Sequence, residues 1–162
     1  MRYQKQSENL TQLLQTNVNK YRSYLADAGI ILTLTLDKNP AWVYGDKTRL
    51  FQLFENIINN CLKYASATEL HITLCHNDKS DPPAVSLIFE DNGIGVNEKH
   101  LPHLFEYLYR VDDSRNRKTG GSGLGLSICR HIVEAHQGDI SAKSSTLGGL
   151  AITITLPLTS ER

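Results

Sequence analysis

Apolar residues recur along this chain with two different periods, and each change of period marks an element. Over residues 4–28, Leu10, Leu13, Leu14, Val18, Tyr21 and Leu25 fall three and four residues apart. That stripe predicts a helix, with polar first turns and Gly29 as its stop. Residues 30–36 alternate Ile, Leu and Thr, which predicts a strand. Asp37-Lys38-Asn39-Pro40 predicts a turn, and a short strand follows over 42–44. Asp46 is placed to cap a second helix running to about Ala65. Leu50, Phe51, Leu53, Phe54, Ile57, Ile58, Cys61 and Leu62 give that helix a wide apolar face. Residues 70–75 and 85–90 read as strands, joined by a hairpin loop over 77–83. Periodicity thins between Asp91 and Gly125, apart from a short helical stretch over 98–105. A third helix is expected from near Leu124 to about His136, closed by Gly138. Two last strands, 140–144 and 150–156, flank a Gly148-Gly149 turn.

This order predicts an α+β two-layer sandwich. A mixed sheet of about five strands carries three main helices on one face. There is no internal repeat and no low-complexity tract.

Composition narrows the picture. The chain has 162 residues, 40% apolar and 21% charged, which suits one globular domain with its own core. Formal net charge is zero, which argues against a broad nucleic-acid surface but leaves room for a local phosphate site. Cys61, Cys75 and Cys129 are odd in number and far apart, so they read as small core residues rather than a zinc or disulfide framework. No apolar run approaches the roughly 20 residues of a membrane span, and the N-terminus lacks an apolar signal core. The fragment is therefore expected to make no direct membrane contact.

Three features carry candidate chemistry. Asn56, Asn60 and Lys63 recur at four and three residues and share one side of the greasy second helix. They read either as a solvent-facing side or as carboxamides and an ammonium meeting metal and phosphate. An amide oxygen can ligate magnesium, which takes its other ligands from phosphate and water. Asp91-Asn92-Gly93-Ile94-Gly95 follows a strand. It reads either as a tight turn or as a base-recognition loop. A buried carboxylate only accepts, so it would select a base offering an amino group, as adenine does. Gly120-Gly121-Ser122-Gly123-Leu124-Gly125-Leu126 opens the third helix after a basic stretch of Arg110, Arg115, Arg117 and Lys118. A flexible linker would explain the glycines, but helix N-termini also favour anions. The run is neither a P-loop nor a dinucleotide fingerprint.

Together and in this order, these pieces resemble the ATP-binding domain of sensor histidine kinases, within the superfamily shared with gyrase B, Hsp90 and MutL. Residues 56–64 resemble the family's N box and residues 91–95 its first glycine box. Phe105-Glu106-Tyr107-Leu108-Tyr109-Arg110 resembles the F box, and residues 121–126 the second glycine box. The resemblance runs over residues 29–158. Residues 109–117, leading into Gly120-Gly121-Ser122-Gly123, are similar to envelope-stress sensor kinases of Gram-negative bacteria. Cys61 departs from the usual alanine and Leu108 from the usual phenylalanine. The turn after Tyr64 is short and lacks glycine.

The resemblance implies the Bergerat fold, and ATP with Mg2+ as ligands. Asn60 would bind the metal. Asn56 would hold the metal–phosphate cluster near it and is the catalytic candidate. Lys63 and Arg110 would contact phosphate, and Tyr64 would pack near the nucleoside. Asp91 would read the adenine amine, with Gly93, Ile94 and Gly95 lining the ring. Tyr109 and the run Gly121, Ser122, Gly123, Leu124, Gly125 and Leu126 would complete the nucleotide site, and residues 111–120 would form a lid. Residues 1–28 would be the tail of the dimerisation and acceptor helix, or a linker, and residues 29–162 the catalytic domain.

The six histidines are His71, His76, His100, His103, His131 and His136, and none is followed by Asp or Glu. The family's phosphoacceptor histidine is, so the acceptor is expected on a separate helical domain. The implied function is transfer of the γ-phosphoryl of ATP to that histidine, and onward to a response-regulator aspartate. The implied location is the cytoplasmic part of a bacterial inner-membrane sensor. The alternatives are a nucleotide-binding regulatory module, an anti-sigma serine kinase, or a gyrase- or MutL-like hydrolase. The hydrolases need a glutamate four residues before the metal asparagine. That position is Asn56, and Glu55 is one residue off.

Overall fold

The structure, a computed structural model, describes residues 2–109 and 125–160. The elements run β1 (Gln6–Asn9), α1 (Leu10–Asp27), β2 (Ile31–Leu36), β3 (Trp42–Gly45), α2 (Lys47–Tyr64), β4 (Glu69–Asn77) and β5 (Ala84–Asp91). A 3-10 helix (Glu98–His103), α3 (Gly125–Ala135), β6 (Asp139–Ser144) and β7 (Leu150–Pro157) follow. The main sheet has five strands in the order β2-β4-β5-β7-β6. β2 runs parallel to β4, and the other neighbours are antiparallel, so the sheet is mixed as expected.

Alternation along the strands sets the two layers. Leu70, Ile72 and Leu74 of β4 are buried, as are Val85, Leu87 and Phe89 of β5 and Ile152, Ile154 and Leu156 of β7. Their neighbours point to the other, more open face, because successive side chains on a strand alternate. The buried face carries the helices. Leu10, Leu14, Val18 and Leu25 of α1, Leu50, Leu53, Phe54 and Ile58 of α2, and Cys129, Ile132 and Val133 of α3 join one core with those strands. The Phe54 and Phe89 rings meet at 6.4 Å between centroids, which ties α2 to the middle of the sheet.

The N-terminal segment differs from expectation. Residues 6–9 are not the first turns of the helix but strand β1, paired antiparallel with β3. Asn9 sits in an extended conformation and its side chain accepts from Gln12 N at 3.2 Å, so the helix is capped there and begins at Leu10. β3 therefore belongs to this two-stranded ribbon and not to the main sheet.

Helix ends show two further local causes. Gly29 closes α1 at φ +76°, as its position predicts. At the end of α3 the left-handed residue is Gln137 (φ 60°), not Gly138. Gly138 is required for a different reason. A Cβ there would lie 2.4 Å from Thr155 O and 2.6 Å from a Leu156 methyl, so the chain could not cross β7 so closely.

Candidate functional site

α2 delivers the polar stripe. Asp46 caps it, accepting from Arg49 N at 3.1 Å, and the buried face of Leu50, Leu53, Phe54, Ile57 and Ile58 fixes its rotation. With that rotation Asn56 and Asn60 are half-buried and Lys63 is exposed. Asn56 Nδ2 donates to Gly125 O at 3.4 Å, so the stripe meets the first described turn of α3. Cys129 of α3 lies under this junction, its Sγ 3.8 Å from Leu53 O, and burial pushes its thiol up to about 12.

Glu55 and Asn59 face elsewhere. Glu55 pairs with Lys20 of α1 at 2.8 Å, and the Tyr21 hydroxyl interacts with both Asn59 and Glu55. The only carboxylate next to the stripe in sequence is thus committed to α1.

β5 ends on Asp91, which is buried. Its Oδ1 accepts from Gly93 N at 2.9 Å and from Leu150 N at 3.3 Å, and its carbonyl accepts from Gly149 N at 3.1 Å. Among the described residues Oδ2 takes no hydrogen bond. The carboxylate is therefore oriented through one oxygen, which leaves an acceptor for an amino group. Cys61 lies near enough that the Asp91 charge adds to burial in raising its thiol to about 12.

Two glycines let the walls close on Asp91. A Cβ at Gly93 would lie 1.9 Å from Ala65 O, and one at Gly149 would lie 2.0 Å from Asp91 Oδ1. Gly95 adopts φ +70°, and a Cβ on it would lie 3.3 Å from Gly148 O, so the Asp91 loop runs close against the β6–β7 turn. Ile94 N donates to Ala65 O at 2.8 Å, joining the same loop to the end of α2, beside Lys63 and the half-buried Tyr64. The Ile94 side chain is 77% exposed.

The F-box stretch divides. Phe105 is buried, as is Leu104 just before the box, and Tyr107 and Leu108 are exposed. Tyr109 is held to the 3-10 helix, its hydroxyl 2.5 Å from His100 Nδ1 and its ring stacked on His103 at 5.3 Å. The structure thus brings Asn56, Asn60, Lys63, Tyr64, Asp91, Gly93, Ile94, Gly95 and Gly125 into one connected region. Leu126 is half-buried at the start of α3. Tyr109 is anchored on separate partners. Arg110, residues 111–120 and Gly121, Ser122, Gly123 and Leu124 lie outside the described residues.

Sequence reasoning missed Ala65, Asn92, Gly149 and the Leu150 N–H. The Gly148-Gly149 pair carried a signal, but only as a turn. Nothing local shows that the turn walls Asp91, because the contact joins residues 58 positions apart.

A family model described as histidine kinase-, DNA gyrase B-, and HSP90-like ATPase matches residues 45–160. The chain is 44% identical over 157 residues to the signal transduction histidine-protein kinase BaeS of Escherichia coli, covering 96% of this chain and 32% of that protein. It is 35% identical over 154 residues to the sensor protein SrrB of Staphylococcus aureus, covering 94% of this chain and 26% of that protein. The chain thus spans a third or less of the length of these curated relatives. Among solved structures, the mycobacterial sensor histidine kinase MprB superposes with a TM-score of 0.79 at 24% identity, over 98% of this chain and 100% of that one. At that identity the likeness is one of fold.

Proposed function

We propose, from the premise that this chain belongs to the histidine kinase-, DNA gyrase B- and HSP90-like ATPase family as the catalytic ATP-binding domain of a two-component sensor histidine kinase, that it holds Mg-ATP for phosphoryl transfer to a histidine on a separate helical domain. The observation that carries this reading is the Asp91 carboxylate. It is buried, oriented through Oδ1 by two backbone N–H groups, and fixed beside the end of α2. On this reading the adenine reader stands at one end of a helix whose polar stripe supplies Asn56, Asn60 and Lys63.

The roles follow by position. Asp91 accepts the adenine amine through Oδ2, and Gly93, Ile94 and Gly95 lie along the ring. Lys63 supplies point charge to the phosphates, Tyr64 packs near the nucleoside, and Asn56 steadies the metal–phosphate cluster from its place beside Gly125. Tyr109, Arg110, Gly121, Ser122, Gly123, Leu124 and Leu126 are assigned to the nucleotide site on the resemblance of their boxes. The donor set fits magnesium. Among the described residues no group of three or more His, Cys, Asp or Glu forms a protein cage. A half-buried carboxamide at Asn60 instead suits an ion that takes its other ligands from phosphate and water. Bound there, Mg2+ would neutralise phosphate charge. What the chain itself contributes is alignment, the main protein contribution to phosphoryl transfer.

A gyrase- or MutL-like hydrolysis is disfavoured by the pairing of Glu55 with Lys20, which leaves Asn56 where that chemistry needs a base. The acceptor domain and a response regulator are the proposed protein partners. Residues 1–28 are taken as the end of the acceptor helix or a linker, docked on the catalytic unit of 29–162. No helix among the described residues is long and apolar enough to cross a membrane. The proposed location is the cytoplasmic side of a bacterial inner-membrane sensor.

The test is transfer in trans. With γ-labelled ATP and Mg2+, label is expected on an added acceptor hairpin from a related sensor kinase and not on this chain alone. Label on this chain alone overturns the assignment of the acceptor to another domain. ATP binding without transfer to any matched hairpin favours a regulatory module.

A further inference from the structure

One side chain in the Asp91 loop bonds out of the loop altogether. Asn92 Oδ1 accepts from Thr68 N and from Glu69 N, both at 2.9 Å, and its Nδ2 donates to Thr68 Oγ1 at 2.8 Å. An asparagine here would ordinarily cap its own turn, accepting from the N–H two residues on. Ile94 N instead donates to Ala65 O, and Asp91 makes the turn contact itself through Gly93 N. Asn92 is therefore free to span 24 positions of sequence, and it uses both ends of its amide to do so.

What it grips is the connector between α2 and β4. That connector leaves α2 at Tyr64 and passes through Ser66, which sits at φ 52°. A non-glycine residue in that region is uncommon and needs its surroundings to hold it. Thr68 is exposed, and Ala65 and Ala67 are only partly buried against the core. Three side-chain bonds from Asn92 hold the stretch, together with backbone bonds from Ile94 N to Ala65 O, Asn92 N to Glu69 O and Ile31 N to Thr68 O.

Resting on the nucleotide reading above, we propose that Asn92 is a positioning residue for nucleotide selectivity. It clips the loop carrying Asp91 to the end of the helix carrying Asn60, Lys63 and Tyr64, and so fixes where the base reader stands relative to the phosphate end. Asn92 acts through Asp91 and has no contact with the nucleotide. Without the clip, Asp91 keeps its Oδ1 bonds to Gly93 and Leu150, but its distance from the end of α2 is set only by the backbone contacts of Gly93 and Ile94 with Ala65 and is held less tightly. Selection of adenine then weakens more than general affinity for a nucleoside triphosphate, since the metal and phosphate contacts assigned to Asn60 and Lys63 lie on α2 and not on the loop.

The experiment measures ATP and GTP dissociation constants with Mg2+ for the parent chain, Asn92→Ala, Asn92→Asp, Thr68→Val and Asp91→Asn. Asn92→Ala is expected to weaken ATP about tenfold and to shrink the ATP-over-GTP preference by about the same factor. Asn92→Asp is expected to restore most of it, because a carboxylate accepts from the same two N–H groups and from the Thr68 hydroxyl. Thr68→Val, which removes only the amide's second anchor, is expected to cost preference in part, and it carries the test if Asn92→Ala does not fold. The clip is overturned if Asn92→Ala loses ATP and GTP equally, or if Thr68→Val and Asn92→Ala both keep the parent's preference. Asp91→Asn separates the two claims. If it binds ATP as the parent does, the adenine reading fails and the clip fails with it. If it loses ATP while Asn92→Ala does not, only the clip fails.

Discussion

Gly149 and Asp91 are packed so closely that a methyl group on Gly149 would sit 2.0 Å from Asp91 Oδ1. The same methyl would lie 2.6 Å from Gly93 N and 2.7 Å from Asp91 O, so no rotation of the carboxylate relieves it. Gly149→Ala must therefore push the β6–β7 turn and the Asp91 loop apart. Overpacking of this kind costs about 1–3 kcal/mol. For a domain of this size each kcal/mol lowers Tm by about 2–4 °C. The expected outcome is a lower Tm without nucleotide and a larger loss of the ATP-induced shift. A variant that melts and binds ATP like the parent would mean that the two loops are not locked as described.

Asp91→Asn tests the reader itself. The amide oxygen can take over the Oδ1 bonds from Gly93 and Leu150, which turns an NH2 toward the position of Oδ2. Donor would then face donor at the adenine amine. Loss of a hydrogen bond to a charged group costs about 1.5–3 kcal/mol. A ligand at 100 times its Kd stabilises by about 2.7 kcal/mol, so most of the ATP-induced rise in Tm should vanish. Thermal melts with and without Mg-ATP decide it, and an undiminished shift would remove Asp91 from the base site.

Both poles of the candidate site stand out in the sequence because each is a local exception. Four polar residues interrupt an apolar helix at Asn56, Asn59, Asn60 and Lys63, and a strand ends on Asp91-Asn92-Gly93. The features that escaped are non-local. β1 has no apolar alternation, and it is a strand only because β3 lies beside it. Gly138 looks like a helix terminator, yet its need for no side chain comes from Thr155 on β7. Asn92 reads as a turn residue until Thr68 and Glu69 are seen to be its partners. Asn59 belongs to the same polar run as Asn60, but Tyr21 on α1 claims it.

Asn60→Ala should separate metal from base recognition. Asn60 is half-buried on the same side of α2 as Asn56, one turn from it, while Asp91 ends a different element, β5. Removing its carboxamide deletes a hard oxygen donor and leaves the adenine contacts in place. The expected result is a magnesium titration of ATP binding that flattens, with metal-free ATP affinity close to the parent's. An unchanged titration would take the metal role from this residue.

Stability should depend on pH through a histidine outside the proposed nucleotide site. His136 is buried at the end of α3. Asp46 N donates to its Nε2 at 3.0 Å, so the proton is on Nδ1, which donates to Ile132 O at 2.8 Å. Tyr3 packs edge-on against the ring at 5.7 Å, and Gly45 is held against it so tightly that a Cβ would meet it at 2.9 Å. Burial lowers the pKa of this imidazole, and the charge of Lys5 adds to that. The Ile132 bond and the Asp46 charge oppose it without winning. Protonation would put a second N–H on Nε2, facing the N–H of Asp46. Since the folded pKa lies below the unfolded value of about 6.5, the unfolded chain takes the proton first as pH falls. The stabilisation is fully present above about pH 6.5 and is lost as pH drops through the folded pKa. The Asp46 carboxyl titrates separately and lower. Burial raises it, but N–H groups of Gln4, Arg49 and Thr48 outweigh burial and hold it below the usual carboxylate range. Urea unfolding at pH 7.5 and pH 5.5 should therefore show the parent less stable at the lower pH. His136→Leu should be destabilised at pH 7.5 by about 1–3 kcal/mol, because the Asp46 N–H is left buried without an acceptor. Its loss between the two pH values should be smaller than the parent's. An equal loss in both would place the pH dependence on other groups, since the neutral imidazole at the α2–α3 junction would then contribute none of it.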